Sequence, residues 1–198
     1  MNSIYSFIIK PKENRYNNTK KIQDKSLILN TSIEDHKFVS RNAIVVSIPK
    51  ALKTNIKVGD EIIVHHNIFR RFYDVRGNEK DSTNYFKDDL YFCYLDQIFL
   101  YKQNSKWKAT EGFCFVQPIK KQIDTIISED TEEPLKGFVT YSSGVYSKNT
   151  LVGFSPESEY EFIIEDKRLY RVPIQSITIK YDSKGTEEPY NPVWVQSS

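Results

Sequence analysis

The chain contains an internal repeat, and this repeat constrains the fold more than any other feature. Residues 90–101 align without a gap on residues 169–180, and apolar residues are kept at the first, sixth, ninth and eleventh positions. Three earlier segments recur in the same order, namely 8–11 in 115–118, 43–45 in 138–140, and 61–64 in 151–154. Self-similarity of this length predicts two copies of one small module. Every connection between matched segments is shorter in the second copy, so the first copy carries the longer loops.

The composition favours strands over helices in both copies. Of the 198 residues, 13 are Tyr and 12 are Phe, and aromatic and β-branched side chains prefer strands. No stretch shows a sustained helical stripe of apolar residues. The sequence therefore predicts an all-β chain, with a first module at 1–102, a linker at 103–112, a second, shortened module at 113–181 and an extended tail at 182–198.

The charge balance bears on the partner. The chain has 28 Lys and Arg against 26 Asp and Glu, which gives a net charge of +2 with both signs mixed along the sequence. Proteins that bind phosphate backbones carry a clearer excess of positive charge, so we expect no nucleic-acid partner. One alternative stays open at Arg70-Arg71, where Phe69, Phe72 and Tyr73 could stack on single-stranded nucleic acid.

Other sequence features bear on the location. The chain passes from Met1 directly into a strand-like segment, without the basic flank or cleavage site of a signal peptide. No run of about 18 apolar residues is present, so no membrane span is predicted. Cys93 and Cys114 lie in aromatic, strand-like runs and are expected to be buried, reduced thiols. These features predict a soluble, cytoplasmic protein.

A long polar segment at residues 12–41 is the main candidate for function. Its front half is rich in Asn and Lys, and it contains one apolar triplet, Leu27-Ile28-Leu29. A loop of this length in a compact domain is typically functional or disordered. The triplet is then either a docking motif or a short strand packed on the body of the module. The shorter, acidic loop of the second copy carries a smaller apolar pair, Ile126-Ile127.

Patterns for enzymatic chemistry are weak. His65 and His66 are adjacent in a predicted strand, so their side chains are expected on opposite faces, where they could not easily share a metal ion with His36. The pair Asp88-Asp89 lies in a charged hairpin and is read as a solvated face. The sequence shows no glycine-rich phosphate loop and no recognisable nucleophile. We therefore predict no catalytic residues, no metal site, no cofactor and no enzymatic activity.

The order of the segments resembles that of a GroES-like co-chaperonin. An opening strand ending in Pro, a long loop with an apolar triplet and a short strand are followed by 58–64, a hairpin at 70–89 and the run 96–100. The segments 58–64 and 96–100 are similar to the most recognisable runs of that family. The resemblance covers most of residues 4–101 and, more faintly, 113–181, and it is of the diverged kind expected from a bacteriophage.

This resemblance implies a fold and a partner. It implies two tandem GroES-like β-barrels that assemble into a homo-oligomeric ring and cap a chaperonin ring in the host cytoplasm. Leu27, Ile28 and Leu29 stand where the family's mobile loop carries the tripeptide that binds the chaperonin, and Ile126 and Ile127 form a possible second binding loop. A different interpretation remains open, in which the chain is a structural protein of a virus particle, used as a decoration or connector.

Overall fold

The structure is a computed structural model, and it describes residues 3–17, 19–22, 25–28, 35–36, 38–121, 131–192 and 194–195. Strands account for 49% of the described residues, and these include no α-helix, which confirms the all-β prediction. No helix in the described ranges is long and apolar enough to cross a membrane.

The chain divides into two compact units, Met1–Trp107 and Lys108–Ser198. Their boundary falls inside the predicted linker, part of which forms a strand. The strands are, in chain order, β1 (Phe7–Pro11), β2 (Thr19–Ile22), β3 (Lys25–Ile28), β4 (Asn42–Ser47), β5 (Glu61–Val64), β6 (Arg71–Tyr73), β7 (Glu79–Asp81), β8 (Tyr85–Lys87), β9 (Leu90–Cys93), β10 (Ile98–Gln103), β11 (Lys106–Ala109), β12 (Phe113–Lys120), β13 (Glu132–Ser142), β14 (Leu151–Phe154), β15 (Tyr160–Ile164), β16 (Lys167–Pro173) and β17 (Ile177–Tyr181).

The two large sheets have the same strand order. The first runs β11-β10-β5-β4-β1-β9-β8, and the second runs β15-β16-β12-β13-β14-β17. Read in opposite directions, β10-β5-β4-β1-β9-β8 corresponds strand for strand to β17-β14-β13-β12-β16-β15. A 3₁₀ turn also precedes β10 and β17, at Leu95–Gln97 and Ile174–Ser176. The internal repeat in the sequence is thus a repeat of topology.

Irregularities in strand pairing recur at matching places. The register of β1 against β4 shifts between Ile8 and Ile9, and that of β12 against β13 shifts between Phe115 and Val116. A second shift occurs between the same positions of β10 and β17, in their pairing with β5 and β14. Since bulges are conserved design features of related sheets, their recurrence supports duplication of one unit.

The register also corrects one part of the sequence alignment. Ala43 pairs with Ile62, and Gly137 occupies the same place opposite Val152. The sequence alignment had matched Ala43 with Phe138, which is one residue too far. Because successive side chains of a strand point to opposite faces, a slip of one residue would have exchanged the core face for the solvent face. Sequence comparison does not reveal such a slip, because both β4 and β13 contain consecutive apolar residues that align almost equally well in either register.

The bend that leads into β5 is also duplicated. Gly59 has a φ of +89° and donates its N–H to the Val45 carbonyl at 2.8 Å. Asn149 has a φ of +66° and donates its N–H to the Val139 carbonyl at 2.8 Å. Glycine and asparagine are the residues that tolerate this left-handed conformation best. The Val-Gly-Asp sequence of the first copy therefore marks a bend that the second copy makes with Asn.

Each unit has its own apolar core. That of the first unit is centred on large, fully buried side chains of three different regions, Phe7, Phe69 and Tyr91. That of the second unit includes Val116 and Val172 on neighbouring strands. The first copy alone places a further two-stranded sheet, β6 with β7, after the 3₁₀ turn that follows β5.

The expected closure of each sheet into a barrel is not found among the described strands. A barrel requires the two end strands of the sheet to pair with each other. The end strands are β11 and β8 in the first unit and β15 and β17 in the second, and each sheet is open between them. Beyond β17, the N–H of Tyr190 donates to the Pro118 carbonyl of the same unit at 2.8 Å.

Candidate functional site

The candidate site is the insertion between β1 and β4 of the first copy, at residues 12–41. Its described central part is a hairpin of β2 and β3, which forms a two-stranded sheet separate from the seven-stranded sheet. Within it, Leu27 pairs with Lys20 and Ile28 pairs with Thr19. The third predicted contact residue, Leu29, lies outside the described residues. The triplet therefore begins in a two-stranded sheet of its own.

The two ends of the insertion run antiparallel where they leave the body. Tyr16 and Val39 form a β-bridge. Asn17 donates its N–H to the Phe38 carbonyl at 2.7 Å, and Ser40 donates its N–H to the Arg15 carbonyl at 3.0 Å. We call residues 15–17 and 38–40 the stem of the first insertion. The stem fixes the points at which the insertion departs and returns.

The hairpin of β6 and β7 holds the stem from one side. Arg15 donates from Nε to the Phe69 carbonyl and from Nη1 to Asp81 Oδ1, both at 2.5 Å. Its side chain is only 10% exposed. In return, the N–H of Arg71 donates to the Tyr16 hydroxyl at 2.7 Å. Charge-assisted bonds of a mostly buried guanidinium are among the stronger polar contacts of a protein.

The same arginine lies over a core tyrosine. The guanidinium carbon of Arg15 is 5.3 Å from the centre of the Tyr91 ring. The Tyr91 hydroxyl donates to Asp89 Oδ1 at 3.0 Å. Burial raises the pKa of Tyr91 well above its ordinary value, so the phenol stays protonated and remains a donor at neutral pH.

The corresponding insertion of the second copy, residues 121–131, has a root of the same kind. Lys121 donates its N–H to the Thr131 carbonyl at 2.9 Å. Glu132, the first residue of β13, accepts from Arg168 Nη1 at 2.6 Å and from the Tyr170 hydroxyl at 2.7 Å. Ile126 and Ile127, the apolar pair predicted as a second binding loop, lie outside the described residues.

No protein family, curated protein or solved structure matches the chain.

The histidines are arranged differently from the sequence expectation. β5 ends at Val64, so His65 caps a 3₁₀ turn and His66 lies within it. The two rings are stacked 4.4 Å apart, and His36 lies 5.2 Å from His66. The expectation that His65 and His66 face opposite ways was wrong because it extended the strand by two residues.

Burial and neighbouring charges disfavour a positive charge on His66. Burial, followed by the neighbouring His65 and Arg41, lowers the pKa of His66 to about 4. Among the described residues, no three His, Cys, Asp or Glu side chains are placed to hold a metal ion. His66 is therefore neutral at physiological pH, and it is a point at which acid would oppose folding.

Other predicted features have structural roles. Asp88 and Asp89 have φ values of 48° and 57° and form the two-residue turn between β8 and β9, a backbone shape typical of tight hairpins. Cys93 and Cys114 are fully buried and free, and burial raises the pKa of both thiols, that of Cys114 to about 11. These thiols are poor nucleophiles at neutral pH.

The basic and aromatic run at 69–73 is divided between core and surface. Phe69 is fully buried, so it cannot stack on a base of single-stranded nucleic acid. Arg71 bonds to Glu79 at 2.8 Å and lies over the Tyr16 ring at 5.8 Å. Phe72 and Tyr73 are exposed, whereas Phe69 belongs to the core. Arg71 contacts Tyr16 of the stem.

Sequence inspection missed the residues that anchor the two insertions. Arg15 and Asp81 are 66 positions apart, and Glu132 and Arg168 are 36 apart. No local pattern marks pairs at such separations. The only available signal was position: Arg15 lies near the start of the first insertion, which stood out by its length, and Glu132 follows the end of the second insertion.

Proposed function

We propose that the chain is a co-chaperonin of GroES-like type, which caps a chaperonin ring through the first insertion. The proposal is supported by one observation above all: Leu27 and Ile28 lie in a separate hairpin that extends from an anchored stem between the first two strands of the main sheet. The order of segments that resembles this family supports it further. The duplicated unit would supply two tandem modules per chain to a ring.

The chemistry of the triplet suits a reversible contact. Burying an aliphatic side chain contributes about 1.5–3 kcal/mol, while ordering a segment on binding costs about 2–5 kcal/mol. One insertion therefore binds weakly by itself. Repetition around a ring raises the overall affinity through effective concentration while each contact remains separable. A lid that leaves in every cycle needs this combination.

Co-elution with a purified chaperonin is the direct test. We expect the chain to elute with the chaperonin on size exclusion in the presence of nucleotide and separately in its absence. The double substitution Leu27→Asp and Leu29→Asp should weaken binding at least about a hundredfold, because two apolar contacts are lost. The far-ultraviolet spectrum should not change.

A matched control places the same charge on the second copy. Ile163 and Ile179 are 42% and 48% exposed, and the double change Ile163→Asp and Ile179→Asp should leave binding unchanged. If the change at 27 and 29 unfolds the first unit, the triplet belongs to its core and the proposal fails. If no chaperonin binds and the chain is recovered from intact virus particles, a virion structural role replaces it.

A further inference from the structure

Each copy has an arginine, a tyrosine and carboxylates grouped at the root of its insertion. In the first copy, Arg15 lies over Tyr91, and the Tyr91 hydroxyl donates to Asp89. In the second, Arg168 lies over the Tyr170 ring at 5.0 Å, and the Tyr170 hydroxyl donates to Glu132. The two tyrosines occupy the same place in the repeat, opposite Ile9 and Val116.

The charge on the insertion side is reversed between the copies. In the first copy the stem contributes the arginine, and the carboxylates come from Asp81 of the hairpin and Asp89 of the body. In the second copy the strand leaving the insertion contributes Glu132, and the arginine comes from β16 of the body. The two anchors therefore use residues at different positions and with opposite charges. What they share is that each bonds one end of an insertion to another part of its own unit.

The contacts of Arg15 reach three separate parts of the first unit. Its guanidinium bonds to the carbonyl of Phe69 after the 3₁₀ turn, to Asp81 on β7, and faces Tyr91 on β9. A planar guanidinium with several fixed donors can bridge such groups at once, whereas an ammonium group acts as a single point charge. Loss of Arg15 would leave the part-buried carbonyl of Phe69 without its donor, which is costly, and would break the ion pair with the exposed Asp81.

We propose that Arg15 is a positioning residue that ties the stem of the first insertion to the β6–β7 hairpin, and that Glu132 ties the end of the second insertion to Arg168 on β16, with the charges reversed. The hairpin and the insertion then move as one unit on the body. The consequence for partner binding rests on the proposed function, because the stem sets where Leu27 and Ile28 are presented. The anchoring itself does not depend on any partner.

Amide hydrogen exchange of the free, full-length chain tests the anchor. In Arg15→Ala, the amides of Asn17 and Ser40, which bond across the stem, should exchange at least about tenfold faster than in the unchanged chain. The amides of Ile62 and Val64 in the main sheet should stay within about twofold. Arg15→Lys keeps the charge but loses the fork, so it should give an intermediate acceleration at the same two amides.

The hairpin side of the anchor has its own variant and control. Asp81→Asn should accelerate the same stem amides. Lys12→Ala removes an exposed ion pair of 2.7 Å with Glu61 at the exit of β1, and it should leave them unchanged. Equal acceleration throughout the first unit, or none in the stem, would overturn the proposal. If Arg15→Ala accelerates exchange at the stem amides and Asp81→Asn does not, the β6–β7 hairpin is not part of the anchor.

The second copy supplies an independent arm. Glu132→Gln should accelerate exchange of the Lys121 amide at least about tenfold and leave the stem of the first copy unchanged. No acceleration there would show that the reversed pair does not anchor the second insertion. Chaperonin affinity is measured separately: a loss of about tenfold in Arg15→Ala supports positioning, whereas a chain that binds no chaperonin refutes the function and leaves the exchange results standing.

Discussion

The two copies differ in their connections far more than in their sheets. Both keep the same order of six strands, the same two shifts of register and the same left-handed bend before the third strand. The first copy has the longer insertion after its first strand, at 12–41 against 121–131, and it alone adds the β6–β7 hairpin. A scaffold retained twice, with variation in the loops, is the arrangement expected if the proposed function lies in the first insertion.

The largest expected difference between the copies concerns Gly137. A Cβ at this residue would overlap the Gln117 carbonyl oxygen and lie 2.7 Å from Val116 Cγ1, whereas Ala43 carries a Cβ at the equivalent place. Gly137→Ala should therefore lower the free energy of unfolding of the second copy by about 3 kcal/mol. The reverse change, Ala43→Gly, should lower that of the first copy by only about 1 kcal/mol.

Hydrogen exchange resolved for each copy gives both free energies. Equal effects of the two substitutions would break the correspondence of Ala43 with Gly137. If Gly137→Ala left the free energy of unfolding of the second copy unchanged, β12 and β13 would have moved apart enough to accept the added Cβ.

Mild acid, at pH values above those at which carboxylates titrate, should destabilise the first copy more than the second. In the unfolded chain His66 takes up a proton near its ordinary pKa of 6.5, but in the folded chain it does so only near 4. The unfolded state therefore binds more protons between these values, and the free energy of unfolding falls as the pH falls from about 6.5 to about 4. After allowance for solvent screening, the loss is about 1–2 kcal/mol.

Denaturation by urea across this pH range measures the effect. His66→Gln should remove much of the pH dependence of the first copy. The equivalent position of the second copy is Pro156, next to Ser155, and neither residue titrates, so the second copy serves as the internal control. The same slope before and after the substitution would contradict the assignment to His66.

The smallest expected difference concerns the two tyrosines. Tyr91→Phe removes one bond to Asp89, and the expected cost is about 1 kcal/mol. Tyr170→Phe removes a bond to Glu132 and one from Arg168 at 2.6 Å, so the expected cost is about 1.5–2 kcal/mol. Thermal unfolding of the two single variants gives the ranking, and a larger loss for Tyr91→Phe would reverse it.

Much of the main sheet was predictable because its signals are local. Apolar runs placed the strands around Ile9, Val45 and Ile62, and Val58-Gly59-Asp60 marked the bend before β5. The strand β11 was missed, since Lys, Trp, Lys and Ala read as a polar linker even though Trp107 and Ala109 are nearly buried. Alternation over four residues is too short to decide between strand and linker.

The parts that escaped prediction depend on distant contacts. Arg15 reads as one more charge in a polar loop, and its role is visible only when Phe69, Asp81 and Tyr91 are brought beside it. Whether the end strands of a sheet meet to close a barrel also depends on tertiary geometry. The residue pattern of an end strand such as β17 is the same in an open sheet and in a closed barrel.

Hydrogen exchange in the presence of a chaperonin and nucleotide tests the central claim most directly. The account predicts that the amides of residues 19–28 become protected when the chaperonin is added, while the second-copy amides at 114–121 and 131–142 keep their free rates. Unchanged exchange at 19–28, or equal protection of both copies, would contradict the claim that the first insertion is the part of the chain that binds.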